Sequence, residues 1–311
     1  MAERTLLVIG AGGFVGAHLA AAAAAGGDLR VLGTARRSGP AGLTCDLLDP
    51  ASVDRCLSEV GPDLIVNCAG AASVGRSWEQ PAATFAANAT GVVNLLDAVS
   101  AHAPSAHVLC LSSADVYGAR QEAELPLRED MELRPVTPYG ASKASMEVVC
   151  DQFAHARGLR IAVARVFNLI GPGQSPQFAV PGFARRIAVA ERDGGEVELA
   201  LGNAAAVRDF VDVRDGARAL LELSRQELQG TFNLCSGRGA TIADLVAELA
   251  AAAKVPVAVR HDPGLERPAD PPALVGDPGR LREATGFEAE VPVATTLADL
   301  LDSWRADPAA A

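Results

Sequence analysis

The chain has 311 residues, 49% of them hydrophobic and 21% charged, with a net charge of −11 and a pI of about 5.0. That length suffices for one large α/β core, or for a large domain with a smaller partner. The acidic balance argues against a nucleic-acid partner but leaves room for a small phosphorylated ligand.

Six cysteines (Cys45, Cys56, Cys68, Cys110, Cys150, Cys235) are scattered, with no Cys-x-x-Cys and no ligand spacing to the five histidines. They read as buried, reduced thiols, and no metal site is expected. No basic-then-apolar leader precedes the first strand, and no apolar run approaches the ~18 residues of a membrane span. A cytoplasmic protein is expected.

Thr5 to Ile9 is a continuous apolar run, as a strand buried on both faces requires. It enters Gly10-Ala11-Gly12-Gly13-Phe14-Val15-Gly16 and then a helix. Strand, glycine turn and helix is the context of a dinucleotide fingerprint, in which the backbone approaches a pyrophosphate at a helix N-terminus. The second strand, Leu29 to Gly33, ends in Thr34-Ala35-Arg36-Arg37. A carboxylate there would hold the ribose 2′-hydroxyl of NAD, whereas arginine suits the 2′-phosphate of NADP. NADPH is therefore expected in preference to NAD.

A third strand covers Leu43 to Cys45, with Asp46 at its end facing the adenine, and a fourth covers Asp63 to Asn67. The exit Cys68-Ala69-Gly70 is small enough to pass close to a cofactor. One helix is predicted from about Gln80 to His102. The fifth strand, His107 to Leu111, delivers Ser112 and Ser113 at its carboxyl end, where open α/β sheets bind ligands. Residues 119–137 read as a charged loop.

Pro138 suits a first helical turn, so a helix is predicted from Pro138 to Ala156. Tyr139 and Lys143 then share one face. A phenol titrates near pH 10, and a nearby ammonium lowers that value, which makes the pair a proton-handling device for a carbonyl and its alcohol. Ser113 is placed to hold the carbonyl oxygen.

The sixth strand is Leu159 to Val166. Up to this point strand–helix alternation implies an α/β fold with a doubly wound parallel sheet over residues 1–166. Then the rhythm breaks. Residues 167–174 read as a loop, followed by a helix from Val180 to Glu191 and a strand from Val197 to Leu201. Beyond them lie a helix over 214–225, a strand from Gly230 to Leu234 and a helix from Ile242 to Ala253. A Pro- and Asp-rich loop over 261–278 and two helices, 278–285 and 295–305, close the chain. Residues 167–311 are expected to form mainly a smaller, mixed α/β lobe, with segments near 207–235 returning to the first domain.

Several ordered motifs together carry a family resemblance over nearly the whole chain. They are Gly10-x-x-Gly13-x-x-Gly16, Asn67-Cys68-Ala69-Gly70, Ser112-Ser113-Ala114-Asp115-Val116-Tyr117-Gly118, Tyr139-x-x-x-Lys143, Arg165-Val166-Phe167-Asn168 and Arg208-Asp209-Phe210-Val211-Asp212-Val213. The sequence resembles an extended short-chain dehydrogenase/reductase of the nucleotide-sugar branch. The resemblance implies a Rossmann lobe for NAD(P) and a C-terminal lobe for a nucleoside-diphosphate sugar. It assigns Ser113, Tyr139 and Lys143 to catalysis, with Tyr139 and Lys143 also on the cofactor. Gly10, Gly13, Phe14, Val15, Gly16, Arg36, Arg37, Asp46, Leu47, Cys68, Ala69 and Gly70 are the other cofactor positions. Asn168, Val180, Arg208 and Arg280 are the implied substrate positions.

Within the branch, Asn168 to Gln174, Gly202-Asn203 and the Arg267-Pro268-Ala269-Asp270 stretch resemble the reductases of GDP-linked 4-keto-6-deoxyhexoses. The sister 4,6-dehydratases carry an acid/base pair where this chain has Ala114 and Asp115. Alanine donates no proton, so dehydration is disfavoured and Asp115 is kept as an additional acid/base candidate. A 4-epimerase shares the Tyr and Lys, but usually has an acidic second-strand end. A non-catalytic NADP-binding regulator would be expected to lose the reactive residues. The helices over Gln80–His102 and 138–156 resemble those through which the family forms homodimers.

Overall fold

A computed structural model describes residues 3–36, 43–266 and 270–307. Seven strands form the main sheet, and every pairing in it is parallel. Six of them alternate with helices in the first half of the chain. In order, these elements are β1 (Arg4–Ile9), α1 (Phe14–Gly26), β2 (Leu29–Ala35), β3 (Leu43–Thr44), α2 (Pro50–Val60), β4 (Leu64–Asn67), α3 (Val74–Glu79), α4 (Pro81–Phe85), α5 (Gly91–His102), β5 (His107–Ser113), α6 (Pro138–Arg157) and β6 (Arg160–Val166).

The second half adds β7 (Asn168–Ile170), α7 (Ala179–Asp193), β8 (Val197–Leu201), β9 (Val207–Asp212), α8 (Val213–Arg225), β10 (Gly230–Leu234), β11 (Gly239–Thr241), α9 (Ile242–Ala252), β12 (Val257–His261), β13 (Ala273–Leu274), α10 (Gly279–Thr285) and α11 (Val293–Ala306). Of these, β10 joins the main sheet beside β6, giving the order β10-β6-β5-β4-β1-β2-β3. The order reverses between β1 and β4, which opens a crevice at their carboxyl ends.

Alternation along β1 explains its unbroken apolar run. Leu7 and Ile9 pack with α2, α5 and α6 on one face, and Leu6 and Val8 with α1 and α8 on the other. All four are fully buried. Such a strand has no solvent face on which a polar residue would be tolerated.

A smaller sheet joins β11, β9 and β13, with β7 on β9, and β8 pairs with β12. Their core includes Ile170, Val180, Ile187, Phe210 and Leu249 and is closed by α7, α9 and α11. Several expectations need correction here. The glycine- and proline-bearing stretch 167–174 contains β7, paired in parallel with β9 from Asn168↔Phe210 to Ile170↔Asp212. The loop expected over 261–278 contains β13, paired with β9 at Ala273↔Val207. Neither β11 nor β12 was expected. The two- and three-residue strands β7, β11 and β13 carry too little periodicity to be read, and the five-residue β12 is almost wholly exposed and presents no buried face; only a partner strand defines them.

The helix expected from Gln80 to His102 starts at Pro81 and holds a π turn at Ala86–Thr90 between α4 and α5. Among the described residues, no helix is long and apolar enough to cross a membrane, and no group of three or more His, Cys, Asp or Glu is placed to hold a metal ion. All six cysteines are free thiols.

Candidate active site

The crevice is built on two adjacent strand ends. The register Ile9↔Asn67 sets the glycine turn beside Cys68 and Ala69, and the Cys68 N–H donates to the Ile9 carbonyl at 2.9 Å. Gly10 has φ +79°, and a Cβ on it would lie 3.0 Å from the Ala69 nitrogen. A Cβ on Gly16 would stand 2.3 Å from the Gly10 carbonyl oxygen. The β1 exit can approach the β4 exit, and the first turn of α1 the Gly10 carbonyl, only without side chains at these positions. The cradle fits a dinucleotide pyrophosphate at a helix N-terminus.

At the rim, β2 runs two residues further than expected, so Arg36 follows its last residue and is exposed. Arg37 lies outside the described residues. The Asp46 side chain accepts the Leu48 N–H at 3.0 Å, and Leu47 is buried with its carbonyl receiving the Asn94 amide at 2.7 Å. Thus Asp46 shapes the turn that leads to α2.

Ser113 ends β5 and Tyr139 and Lys143 open α6; all three are buried. Thr137 caps the helix by accepting the Gly140 N–H at 2.9 Å, and Pro138 occupies its first turn, as expected. The Ser113 hydroxyl lies beside the Tyr139 phenol and counters the rise in its pKa. It donates to Asp115 Oδ2 at 2.9 Å and accepts the Asp115 N–H at 3.2 Å. Lys143 Nζ donates to the Leu111 carbonyl at 2.7 Å. The three residues predicted for catalysis are thus brought together, with Asp115 as a fourth member.

The electrostatics differ from the expectation that Lys143 depresses the phenol. Burial pushes Tyr139 above the ordinary phenol value, the Asp115 carboxylate pushes it further, and the Ser113 hydrogen bond opposes both. The Lys143 amine is lowered to about 8 by burial. The chain has only two tyrosines, Tyr117 and Tyr139, so each can be followed by NMR of labelled tyrosine. Removing the negative charge beside the phenol stabilises its anion, so Asp115→Asn is expected to move the Tyr139 titration to lower pH. A titration that stays put or rises would contradict this account of the site.

The substrate positions are divided. Asn168 opens β7, two residues beyond the Ser113↔Val166 pair, and its amide donates to the Asp209 carbonyl at 3.1 Å. Arg208 pairs with Asp270 at 2.7 Å rather than with Asp209 or Asp212, and its Nη1 donates to the Val207 carbonyl at 2.8 Å. Asp209 instead accepts backbone N–H groups of Ser236, Gly237 and Gly276, and Asp212 binds Arg214. The side chain of Val180 is buried in the smaller core, leaving only its backbone for a ligand.

Arg280 is a correction. Its guanidinium stacks over Phe232 at 5.1 Å and lies near Gly230, the first residue of β10. That is the amino end of the strand, whereas the crevice lies at the carboxyl ends, so Arg280 is not brought to the site. Arg267, Pro268 and Ala269 lie outside the described residues.

Asn88 was not anticipated. It sits in the π turn, accepts the Ala71 N–H at 2.8 Å, and donates to the Ala71 carbonyl at 3.1 Å and Ser142 Oγ at 2.9 Å. One amide therefore ties the β4 exit to the helix that bears Tyr139 and Lys143. A π turn is a recurrent device at functional sites, but it has no spacing signal in a single sequence.

Comparison with known proteins finds relatives over nearly the whole chain. Residues 6–235 match the model of the NAD dependent epimerase/dehydratase family. GDP-6-deoxy-D-mannose reductase of Pseudomonas aeruginosa is 36% identical over 96% of this chain and 97% of its own length. GDP-6-deoxy-D-talose 4-dehydrogenase of Aggregatibacter actinomycetemcomitans is 30% identical, covering 90% and 91%. The solved structure of RMD from Pseudomonas aeruginosa complexed with NADPH superposes with a TM-score of 0.87 at 35% identity, covering 97% of this chain and 99% of that one.

Proposed function

Because the chain belongs to the NAD dependent epimerase/dehydratase family, we propose that it reduces the C4 carbonyl of a nucleotide-activated 4-keto-6-deoxyhexose, first of all GDP-4-keto-6-deoxymannose, using NADPH. The observation that carries this reading is a buried phenol held protonated beside Ser113 at the mouth of the dinucleotide crevice. A ketone reduction needs one proton donor at the oxygen, and Tyr139 is poised as that donor. A 4,6-dehydratase needs a further acid and base; Ala114 offers none, and Asp115 is engaged by Ser113.

When bound, NADPH supplies the hydride to C4. The glycine turn, the α1 N-terminus and Arg36 would hold it, the exposed Arg36 guanidinium suiting its 2′-phosphate. Ser113 positions the carbonyl oxygen by turning its hydroxyl from Asp115 to donate to that oxygen. Tyr139 gives its phenolic proton to that oxygen as negative charge develops there. Lys143, an ammonium below about pH 8, holds the nicotinamide ribose beside Tyr139. Asn168 and Arg208 hold the substrate diphosphate, with Arg208 exchanging Asp270 for phosphate. The protein is proposed to work in the cytoplasm as a homodimer paired through α5 and α6, which expose Val93 and Val148.

The test is an assay with purified protein, NADPH and enzymatically generated GDP-4-keto-6-deoxymannose. Stoichiometric NADPH loss with formation of a GDP-6-deoxyhexose is expected. Conversion of GDP-mannose to its keto sugar without net NADPH loss would replace the proposal with dehydration, with Asp115 as base. In the same assay, Arg36→Ala is expected to raise the KM for NADPH by about 10- to 100-fold, the worth of one charge-assisted phosphate contact, and to leave that for NADH unchanged. An unaltered NADPH preference removes Arg36 from the 2′-phosphate site.

A further inference from the structure

Beneath the catalytic residues lies a buried polar cluster that the steps above do not use. The apolar layer between the sheet and α6 runs through Cys110 of β5, Val163 of β6 and Met146 and Cys150 of α6. Toward the site, the same faces turn polar at Ser112, Arg165 and Glu147. Ser112 Oγ donates to Glu147 Oε1 at 2.5 Å. Arg165 Nε lies 3.1 Å from both carboxylate oxygens, and its Nη2 lies 2.8 Å from Oε2. Its Nη1 donates to the Tyr117 hydroxyl at 2.9 Å, and Tyr117 donates to Asn233 Oδ1 at 2.7 Å. Arg165 is 5% and Glu147 8% exposed.

A pair this deep carries a desolvation cost that its attraction barely offsets, and apolar residues of similar size often serve stability as well or better. Its location suggests what it does instead. Tyr139, Lys143 and Glu147 follow at intervals of four along one face of α6, and Ser112 directly precedes Ser113 on β5. The Ser112–Glu147 bond therefore joins the strand end that bears the serine to the helix row that bears the tyrosine and lysine. Arg165 anchors that joint to β6, and through Tyr117 to the turn that carries Asp115.

We propose that Glu147 and Arg165 form a positioning pair, which fixes the separation of Ser113 from Tyr139 and Lys143 and so sets the rate of the reaction rather than the stability of the fold. The inference rests on the carbonyl reduction proposed above. A displacement of about 1 Å in a catalytic constellation costs on the order of 10²-fold in rate.

The groups that face Lys143 are the thiols of Cys68, Cys110 and Cys150 and the carboxylate of Glu147. Cys68 is pushed up to about 12 by burial and is neutral at the pH where Lys143 titrates. Glu147 is the carboxylate of the set. Lys143 and the exposed Lys254 are the only lysines of the chain, so two resonances report on a protein labelled at lysine.

The experiment replaces both partners at once, E147L/R165M, which removes the joint without leaving a buried charge. The thermal midpoint is expected at or above that of the wild type, with an unchanged NADPH dissociation constant and kcat down by about 10²-fold. An undiminished kcat in the folded double variant overturns the proposal. If that variant does not fold, Arg165→Lys decides, because it keeps the charge but not the fork: kcat should fall with KM unchanged, and full turnover overturns the proposal. A readout independent of any sugar is the Lys143 titration, which should move to lower pH in Glu147→Gln; an unmoved titration counts against the pair. A wild type that reduces no keto sugar sinks the proposed function, while a crystal structure of E147L/R165M still decides the positioning role: a Ser113–Tyr139 separation equal to that of the wild type overturns it.

Discussion

Tyr139→Phe is expected to lose about 10²- to 10⁴-fold in kcat, the usual worth of a positioned general acid, while its NADPH affinity stays that of the wild type. The substitution removes one oxygen from a residue that is 9% exposed and leaves the ring in place, so the fold has little to lose. The phenol is the acidic proton donor at the site, since the aliphatic hydroxyl of Ser113 is far too weak an acid to give up its proton and serves only as a hydrogen-bond donor. Neither Lys143, held by the Leu111 carbonyl, nor Asp115 stands in for it at the same oxygen. Pre-steady-state reduction with NADPH would show the loss in the chemical step. Turnover close to wild type would remove Tyr139 from the role of acid and redirect attention to Asp115.

Gly16→Ala is expected to weaken NADPH binding by about tenfold to a hundredfold, equivalent to the ~1–3 kcal/mol typical of overpacking a tight contact. The added methyl would stand 2.3 Å from the Gly10 carbonyl oxygen and 2.9 Å from its carbon. Both are backbone atoms, so no rotamer change relieves the clash. The Gly10 carbonyl also receives the Gly13 N–H at 3.0 Å, so moving it opens the whole turn. A fluorescence titration with NADPH, set beside the thermal midpoint without cofactor, separates the two effects. An affinity equal to that of the wild type would mean that the turn is not the pyrophosphate cradle.

How much of this site is legible in the sequence depends on how local its cause is. The turn Gly10–Gly16 and the pair Tyr139–Lys143 are set within seven residues by strand exit, glycine and helical spacing. Arg36 is legible for the same reason, as the residue after a strand end. Asn88, Glu147 and Asn233 are not, because each acts on partners between 17 and 116 residues away. The resemblance misplaced Arg280 in a similar way, since a motif carries order along the chain but not the end of a strand against which a helix finally packs.

By itself, the sequence determined the doubly wound sheet, the glycine turn at its first crossover, and the helical row of Tyr139 and Lys143. Apolar runs, glycine turns and four-residue spacing act through neighbouring residues and hold whatever the rest of the chain does. The tertiary structure alone decided that Asp115 accepts a hydrogen bond from Ser113, that Tyr139 is raised rather than lowered, and that Arg208 meets Asp270. It also decided that Glu147 and Arg165 lie under the catalytic residues. Burial and charge pairing depend on which distant elements close over a group, and no spacing along the chain records that distance.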